Sequence, residues 1–416
     1  MTGRNPSNSP HLWVVGGGAM QVPVAEEARK LDLAVICSDR DPTCECAAIA
    51  DVFVEVDIFD VEGHIQAANN LRASGVHIVG VLAAGIDAPV TMARLAQDLG
   101  LPGVDPAIAE VVNNKALFRR RLSELGFPVP RFVEVTEDLL ADAEVLAAQV
   151  GYPLIVKNTD SSGSRGARIL EGPDSEVLRE ALVDSIAVSR SRTALIESLW
   201  DGPEQTVETI FDTSGDFHRC FITDRIFDKG DGFALEIGLR HPSALSDTVQ
   251  EEMYQIAESV ARALGITIGA AKFDFMLTPE GPRIIEMTVR LSGGFDSQYL
   301  VPGATGKNVI RAAILTAIGQ KFDPALLQDR LGKVGLSRSL WPAPGRIVAV
   351  EGLDDARAIA GVERIVMRAQ PGDQVEPYVD CTKRTCFIIV SGTDEAHAQA
   401  TVDEVNSVLR IITEEA

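Results

Sequence analysis

The first hundred residues alternate short apolar runs with amphipathic segments, a pattern typical of strands that alternate with helices. Because strands joined by helices pair in parallel, the pattern predicts a parallel sheet covered by helices on both faces. A glycine-rich turn at 16–18 lacks the third glycine of a dinucleotide-binding fingerprint, since position 21 is Gln. These glycines either hold a ligand at a helix N-terminus or only form a tight turn. Strands are predicted at 12–15, 33–38, 52–56 and 77–82, and helices end near Ala28 and Leu71.

After a linker at 101–106, the pattern predicts a basic helix at 113–125. A strand at 152–158 then runs into a loop of small residues at 159–167, and an extended pattern resumes at 168–170. The segment from about residue 332 to the end is interpreted as a separate α+β unit. Further strands are predicted at 193–200, 204–211, 346–350 and 386–390, and further helices at 354–360 and 395–410.

Residues 274–294 carry the densest set of chemically active side chains. Pro279-Glu280-Gly281 is predicted to be a three-residue hairpin loop, in which Gly281 takes the left-handed conformation. The resulting register sets Asp274 opposite Glu286. The same register pairs Thr278 with Pro282 and Lys272 with Thr288, places Met276 and Ile284 on the face of the two carboxylates, and places Phe273, Phe275, Leu277, Ile285 and Met287 on the other face.

Two carboxylates that face each other destabilise a sheet unless a cation neutralises them. Mg²⁺ prefers oxygen ligands and completes its shell with phosphate oxygens, and Arg290 just beyond the hairpin is suited to grip a phosphoryl group. The hairpin therefore predicts a site for a magnesium nucleotide. A surface hairpin with solvated carboxylates is the alternative, and a one-residue slip of register would separate the two carboxylates.

The loop at 159–167 combines serine and glycine with a lysine, Lys157, shortly before it. Backbone N–H groups in such a loop can close around phosphate oxygens, and the lysine adds a positive charge. The sequence thus predicts a phosphate-binding flap between two strands, with a flexible surface hairpin as the alternative. The segment 303–308 lacks the first glycine and the Ser or Thr of a Walker motif, so it is predicted to be a turn that enters a helix.

Composition narrows the classes of function. The chain has 416 residues and a formal net charge of −22, which disfavours nucleic acid and anionic membranes as partners because both are bound through Lys and Arg. Its length predicts about two to four domains. It starts with a short polar tail that lacks the apolar core of a signal peptide, and no apolar run approaches membrane-spanning length. We therefore expect a cytoplasmic protein whose substrates are small or whose partners are basic.

The cysteines indicate reduced thiols rather than a disulfide framework, because they are few and scattered in a long chain. Cys44-Glu45-Cys46 has no second close pair of Cys or His residues beside it, so it is interpreted as ordinary small residues near a loop rather than as a metal site. The six positions are 37, 44, 46, 220, 381 and 386.

The ordered set of these motifs resembles the ATP-grasp superfamily, and most closely its carboxylate–amine ligases, which include the L-amino-acid (dipeptide) ligases and are often labelled carbamoyl-phosphate-synthase-like. The resemblance covers essentially the whole chain. It implies an α/β and α+β fold with a Rossmann-like parallel-sheet domain at 1–106, a two-lobed ATP-grasp domain at 107–325 and an α+β cap at 326–416. The motifs are Lys115, Lys157 with its glycine loop, the segment 196–204, and the hairpin with Asp274, Glu286 and Arg290.

The resemblance also implies roles for individual residues. ATP would be the nucleotide, and the metal would be Mg²⁺, with Mn²⁺ as an alternative. Arg290 and Lys157 would be the catalytic charges, and Arg290 would also bind the transferred phosphoryl group or the acyl phosphate. The further assignments are Lys115 and Lys157 at the ATP phosphates, Ser161, Ser162, Gly163, Ser164 and Gly166 in the flap, Glu197, Ser198 and Leu199 in a hinge along adenine, Glu204 at the ribose, Gly293 and Gly294 beside Arg290, and Asp274, Glu286 and Thr288 at the metal.

Two positions depart from the family pattern. Many relatives have Asn-Pro between the metal-binding Glu and the Arg, where this chain has Thr288-Val289. Thr288 offers a hydroxyl oxygen, which is a weaker metal ligand. Several relatives have His two residues before the first metal carboxylate, where this chain has Lys272. This second departure affects the substrate pocket more than the ATP site.

The segment 232–242 occupies the region in which relatives contact an amino-acid substrate. Glu236 suits an ammonium group, and Arg240 or His241 suits a carboxylate. In the alternative interpretation, Glu236 is a solvated loop residue and His241 only packs before Pro242.

The function implied by the resemblance is an ATP-dependent ligation. A substrate carboxylate attacks the γ-phosphate to give an acyl phosphate and ADP, and an amine, expected to be an amino acid, displaces phosphate to form an amide or peptide bond. A closed flap would exclude water. The alternatives are a carboxylase-type enzyme that acts through carboxyphosphate and a nucleotide-binding regulatory protein without turnover. A homodimer is the default expectation for its assembly.

Overall fold

The computed structural model describes residues 9–228 and 230–414. Four sheets organise this part of the chain: a parallel sheet of four strands, an antiparallel sheet of four strands, a sheet of eight strands and a small sheet of three strands. Within the described ranges, no helix combines the length and the apolar character needed to cross a bilayer.

The N-terminal sheet is parallel, with strand order β3-β2-β1-β4, as the alternating pattern predicted. Helices cover both faces. One face packs on α1 and, unexpectedly, on a helix at Val309–Ala317 from much later in the chain, while the other packs on α2 and α3. The elements are β1 (Pro10–Val15), α1 (Val22–Lys30), β2 (Ala34–Asp39), β3 (Val52–Glu55), α2 (Val61–Ala73), β4 (His77–Leu82) and α3 (Pro89–Asp98).

The second sheet is antiparallel, with order β5-β8-β6-β7. The basic helix predicted at 113–125 begins at Lys115, because the Asn114 side chain accepts hydrogen bonds from the backbone N–H groups of Ala116 and Leu117. The predicted flap connects β6 to β7. The elements are α4 (Pro106–Asn113), α5 (Lys115–Glu124), β5 (Phe132–Thr136), a 3-10 helix (Glu137–Asp142), α6 (Ala143–Val150), β6 (Leu154–Asn158), β7 (Arg168–Leu170), α7 (Ser175–Val188) and β8 (Thr193–Ser198).

The third sheet has the order β13-β12-β9-β10-β11-β14-β18-β16. Its elements up to residue 327 are β9 (Glu204–Phe211), β10 (Phe217–Asp228), a 3-10 helix (Gly230–Gly232), β11 (Leu235–His241), α8 (Asp247–Leu264), β12 (Gly269–Thr278), β13 (Gly281–Thr288), a π-helical turn (Asp296–Leu300), α9 (Val301–Thr305), α10 (Val309–Ala317) and a 3-10 helix (Pro324–Leu327).

The C-terminal segment continues this same sheet, because β14 pairs with β11 and then with β18. Main-chain hydrogen bonds therefore join the segment to the preceding strands, and the expected domain boundary near residue 326 stays a prediction. The elements are β14 (Val334–Leu340), β15 (Gly345–Glu351), α11 (Leu353–Ala358), β16 (Val362–Met367), β17 (Gln374–Val375), a 3-10 helix (Cys381–Lys383), β18 (Cys386–Gly392), α12 (Glu395–Val408) and β19 (Arg410–Glu414).

The β12–β13 hairpin sets Asp274 opposite Glu286, as predicted, although by a different route. Thr278 pairs with Gly281 rather than with Pro282, so the loop has one residue fewer than predicted. A bulge between the 274–286 and 275–284 pairs compensates for this shift. The bulge also reverses two side chains: Ile284 packs in the core, whereas Ile285 lines the cavity beside the carboxylates.

Candidate active site

A cavity of about 660 Å³ lies between the parallel sheet, the four-stranded antiparallel sheet and the eight-stranded sheet. Its walls come from the loops after β1 and β4, from the flap, from β9 to β13 and from the segment around the 3-10 helix at Cys381–Lys383. The structure thus brings together most of the residues that the sequence singled out. Those that line the cavity are Lys115, Lys157, Ser161, Ser162, Gly163, Ser164, Glu204, Glu236, Asp274, Glu286, Thr288, Arg290, Gly293 and Gly294.

Asp274 is the more deeply buried carboxylate of the hairpin. The Thr206 hydroxyl donates a 3.0 Å hydrogen bond to one of its oxygens, and its other oxygen lies 3.3 Å from the Arg225 guanidinium and forms an ion pair with Lys272. Burial alone would raise the pKa of Asp274, but the charges of Arg225 and Lys272 lower it. The carboxylate is therefore ionised and already surrounded by positive charge.

Glu286 is more open, with 35% of its side chain exposed, and it lies 3.4 Å from the Lys115 ammonium group. Together with Asp274 and the neighbouring Thr288 it presents oxygen donors, the ligand type that Mg²⁺ prefers. Among residues 9–228 and 230–414, no cluster of three or more His, Cys, Asp or Glu side chains could hold a metal by itself. These oxygen donors could supply only part of the shell of a magnesium ion.

Lys115 connects the hairpin to the flap. Its backbone N–H donates to the carbonyl of Thr159 at 2.7 Å, and its ammonium group donates to the carbonyl of Ser161 at 2.8 Å. Its position as the first residue of α5 brings the side chain to the start of the flap. Lys115 thus fixes the flap root while facing the cavity.

Lys157 faces the cavity from β6 and is held from behind by Glu197, at 2.5 Å. Arg119 donates to the same carboxylate at 2.9 Å. Burial would raise the pKa of Glu197, but the charges of Arg119 and Lys157 lower it to about 2. Burial lowers the pKa of Lys157, and the Glu197 charge opposes that change. Glu197 is therefore a support for Lys157.

Residues 197–199 do not line the cavity. Glu197 pairs with Phe132 and Ile155 within the sheet, and Leu199 donates its N–H to the carbonyl of Pro153. The chain then crosses from the second sheet to the third. The Glu197 side chain is consumed by the buried ion pairs with Arg119 and Lys157, so a contact of residue 197 with adenine would have to come from its backbone. A hinge along adenine formed by the backbone here stays a prediction.

The flap is closed between the N-terminal and C-terminal parts of the molecule. Asp87, which follows β4, accepts a 3.2 Å hydrogen bond from the N–H of Ser162 and a 2.5 Å one from Arg165. On the other side, the N–H of Cys381 donates to the carbonyl of Gly163 at 2.9 Å. The flap is thus latched from two remote segments.

Gly166, which the sequence placed among the nucleotide contacts, lies outside the cavity walls. Its φ is +62°, and a Cβ atom there would lie 3.0 Å from the Cα of Ser185. The Ser185 hydroxyl donates to its carbonyl. Glycine is needed here for a left-handed turn packed against α7, so the position is structural.

Arg290 is anchored by backbone carbonyls. Its Nε donates to Ile86 and its Nη1 donates to Leu291, both at 2.9 Å. The loop after β4 approaches so closely that a Cβ atom at Gly85 would lie 3.2 Å from the Cα of Gly293. This contact explains the need for small residues on both loops and fixes Arg290 at the cavity.

Glu236 lines the cavity but is not a free anion. It accepts a 2.7 Å hydrogen bond from Arg225 and a 3.0 Å hydrogen bond from Arg384, which comes from the C-terminal segment. Burial would raise the pKa of Glu236, but the two arginines lower it. Its negative charge is thus already compensated by two arginines. The sequence had predicted instead a carboxylate that is open to the ammonium group of a substrate.

Arg240 and His241 do not line the cavity, so the structure does not bring them to the place where the other candidate substrate residues meet. Arg240 forms ion pairs with Glu395 and Asp224. His241 is buried, its Nδ1 bonds to the carbonyl of Ile222, and burial lowers its pKa to about 4, so the ring is neutral near pH 7. Leu239 faces the cavity instead.

Several residues of the cavity wall and of the flap latch could not be singled out from the sequence. Each comes from a segment remote from the motifs, so only the fold brings it to the site. Asp87 carries a weak signal, because it follows the carboxyl end of a predicted parallel strand, where ligands commonly bind. The residues are Asp87 in the flap latch, with Arg225, Asp296, Arg368, Thr382 and Arg384 in the cavity wall.

Two family models match the chain. The model described as the ATP-binding domain of the carbamoyl-phosphate synthase L chain matches residues 114–325. The model described as L-amino acid ligase C-terminal domain 2 matches residues 338–414.

Similar proteins and structures agree with these matches. The uncharacterized protein y4rH of Sinorhizobium fredii is 28% identical over 91% of this chain and 77% of its own. Human carnosine synthase 1 is 27% identical over 76% of this chain, which spans only 40% of that protein. The crystal structure of an L-amino acid ligase from Bacillus licheniformis has a TM-score of 0.81 at 23% identity, covering 98% of this chain and 99% of that one. The last likeness shows the ATP-grasp fold.

Proposed function

Because the chain belongs to the ATP-grasp family that is defined by the ATP-binding domain of the carbamoyl-phosphate synthase L chain, we propose that it is an ADP-forming ligase that joins a carboxylate to an amine. One observation carries the proposal. The paired carboxylates Asp274 and Glu286, with Arg290 beyond them, face the same cavity as Lys115 and Lys157, under a latched flap.

ATP would bind with its phosphates between the flap and the hairpin. Lys115 and Lys157 supply positive charge there. Because the N–H of Ser161 donates to Asn158 and that of Ser162 donates to Asp87, the N–H groups of Gly163 and Ser164 are the ones proposed to face the phosphates. Glu204 lines the cavity near Arg225 and is proposed to accept hydrogen bonds from the ribose hydroxyls. We keep the division at residues 106 and 325 as a proposal for the domain boundaries.

Asp274 and Glu286, with Thr288 as a weaker ligand, would hold Mg²⁺, which would neutralise phosphate charge during transfer. Asp274 already lies beside Arg225 and Lys272, so Glu286 is the carboxylate that is more available to a metal. Lys115, Lys157 and Arg290 would neutralise the remaining negative charge of the phosphates.

The substrate carboxylate would attack the γ-phosphate beside Arg290, giving an acyl phosphate and ADP. The amine nitrogen would then form a bond to the carbonyl carbon, and the bond from that carbon to the phosphate oxygen would break. Arg290 is suited to this role because its guanidinium is fixed by Ile86 and Leu291 and does not reorganise as charge develops. The closed flap would keep water from the acyl phosphate.

The C-terminal segment would form part of the substrate pocket. Arg368, Thr382 and Arg384 reach the cavity from it, and Arg384 holds Glu236 in place. This polar and charged wall supports small zwitterionic or anionic substrates such as amino acids, because arginine recognises carboxylates well.

Release of ADP and phosphate from Mg-ATP would test the proposal, measured across a matrix of amino acids and small carboxylic acids, singly and in pairs, with and without bicarbonate. Release that requires a carboxylate and an amine together, with an amide detected by mass spectrometry, would support the ligase. Release that requires bicarbonate would replace it with a carboxylase-type reaction. ATP binding without release in any pair would contradict the ligase.

A further inference from the structure

Asp296 is a buried acid to which the proposed nucleotide and metal sites assign no role. It follows the turn at Gly294 and Phe295, both of which have positive φ, and begins the π-helical turn. Asp296 is one of the residues that line the cavity, although it is only 2% exposed. Among the described residues, its Oδ1 has no hydrogen-bond partner. Such an oxygen is costly to bury, so a ligand that donates a hydrogen bond to it would remove an existing penalty.

The surroundings of Asp296 select the charge of that ligand. Burial and the nearby carboxylates of Glu236 and Glu208 raise its pKa well above the ordinary range, and Lys272 and Arg225 only partly oppose them. Anions such as phosphate or carboxylate would be repelled by these acids. A cation that donates hydrogen bonds would be attracted, and an ammonium group offers three donors with its charge.

Glu236 is less suited to this task, although it was the acid expected from the sequence. Both of its oxygens already accept hydrogen bonds, one from Arg225 and one from Arg384. Glu208 is fully buried and accepts from the N–H of Ser292, and it is absent from the cavity wall. Asp296 is therefore the acid of this group that combines an unpartnered oxygen with access to the cavity.

We propose that Asp296 binds the amino group of the acceptor substrate and takes a proton from it. The inference rests on the proposed ligase function and adds a residue for its second step. An amine reaches the site as an ammonium group, which cannot attack a carbonyl carbon until it has lost a proton.

The Asp296 carboxyl releases its own proton to solvent as the ammonium binds, because a cation beside it favours the carboxylate. The ammonium then transfers one proton to Asp296. The nitrogen lone pair forms the C–N bond, the C–O bond to phosphate breaks, and phosphate leaves with that electron pair. The second nitrogen proton leaves with phosphate or to solvent.

Hydroxylamine separates this step from acyl phosphate formation. It is uncharged near neutral pH and attacks acyl phosphates without needing to lose a proton first, giving a hydroxamate. The experiment compares hydroxamate formation with amide formation, using the carboxylate and amine found in the substrate matrix. The proteins are the wild type, Asp296→Asn, Asp296→Glu and, as a buried carboxylate outside the cavity wall, Glu27→Gln.

The expected result is that Asp296→Asn keeps carboxylate-dependent hydroxamate formation but loses amide formation by about 100-fold or more, the range found for removal of a general base. Asp296→Glu should recover part of the loss, and Glu27→Gln should behave as the wild type. Equal rates of amide formation in Asp296→Asn and the wild type would overturn the proposal. Absence of both products in the wild type would instead overturn the ligase function and this inference with it.

A measurement on the wild type keeps the proposal testable if Asp296→Asn does not fold. The pH profile of kcat/KM for the amine should contain a titration that the profile for hydroxylamine lacks. Identical profiles after correction for the ionisation of the amine itself would overturn the role of Asp296.

Discussion

The ammonium group of Lys115 lies 3.4 Å from a carboxylate oxygen of Glu286 and 2.8 Å from the carbonyl oxygen of Ser161. One lysine thus joins the carboxylate hairpin to the first turn of the flap. In the nucleotide complex that we propose, a phosphate would replace Glu286 as the partner of the Lys115 ammonium group, and Glu286 would turn to the metal. The contact makes the flap and the hairpin parts of a single binding site.

Replacing Glu286 by Gln should weaken magnesium-dependent ATP binding by at least about tenfold, because mutation of residues that only support metal ligands already costs that much. The same change should nearly abolish turnover. The reason is that the more available of the two carboxylates is removed. Calorimetry with ATP, with and without Mg²⁺, measures the binding. Normal ADP release by Glu286→Gln would disprove the metal assignment.

Replacing Arg290 by Ala should leave ATP affinity nearly unchanged and lower kcat by about 100- to 1000-fold, because its charge is needed chiefly in the transition state. Single-turnover ADP formation checks the rate, and equilibrium binding checks the affinity. Arg290→Lys keeps the charge but not the contacts with Ile86 and Leu291, so it should recover only part of the rate. An equal loss of ATP affinity and rate in Arg290→Ala would contradict the assignment.

Replacing Asp87 by Asn should loosen the flap and increase hydrolysis of ATP without amide formation. Asp87 is the partner of Ser162 and Arg165, and an open flap admits water to the acyl phosphate. The measured quantity is the ratio of ADP to amide. The exposed Asp98 in the same part of the molecule gives a matched control, Asp98→Asn, which should leave the ratio at its wild-type value.

The same latch should depend on pH. Burial would raise the pKa of Asp87, but the hydrogen bond from Ser162 and the charges of Arg290 and Arg165 lower it. A lowered pKa means that the stabilising contribution is fully present above the ordinary carboxyl pKa and is lost as pH falls through the lowered value. The ADP-to-amide ratio should therefore rise in acid below the ordinary range for Asp and stay level near neutrality.

Replacing Glu197 by Gln should destabilise the protein by about 3–5 kcal/mol, the cost of leaving buried charges uncompensated, because Arg119 and Lys157 both depend on it. Urea unfolding measures the loss. The pKa of Glu197 is lowered to about 2, so its contribution is present above the ordinary carboxyl pKa and disappears as pH falls toward 2. The exposed pair Arg219–Glu251 provides a control, and Glu251→Gln should leave the unfolding midpoint almost unchanged.

The chemistry of the hairpin could be predicted from the sequence, because a short loop between two alternating strands limits the register. The pairing of Asp274 with Glu286 was confirmed, but two errors compensated for each other: the loop is shorter and Ile285 lies in a bulge. Local sequence does not specify such a bulge, since its cost and benefit depend on neighbouring strands. Ile284 and Ile285 were consequently assigned to the wrong faces.

The substrate side of the cavity could not be predicted in the same way. Arg384 reaches Glu236 across 148 positions of sequence, and this contact exists because β14 and β18 extend the sheet beyond β11. Pairing between strands so distant in sequence leaves no periodic signal. The residue type of Arg240 favours a contact with a carboxylate, yet its side chain pairs with Glu395 and Asp224 outside the cavity wall.

The most direct test of the ligase mechanism follows an oxygen atom. The carboxylate substrate found in the matrix would be labelled with oxygen-18 in its carboxyl group, and the released phosphate would be analysed by mass spectrometry. Attack of that carboxylate on the γ-phosphate predicts one labelled oxygen in each phosphate released with the amide. Unlabelled phosphate from a reaction that still forms amide would contradict the acyl phosphate and the roles that we assign to Arg290 and the flap.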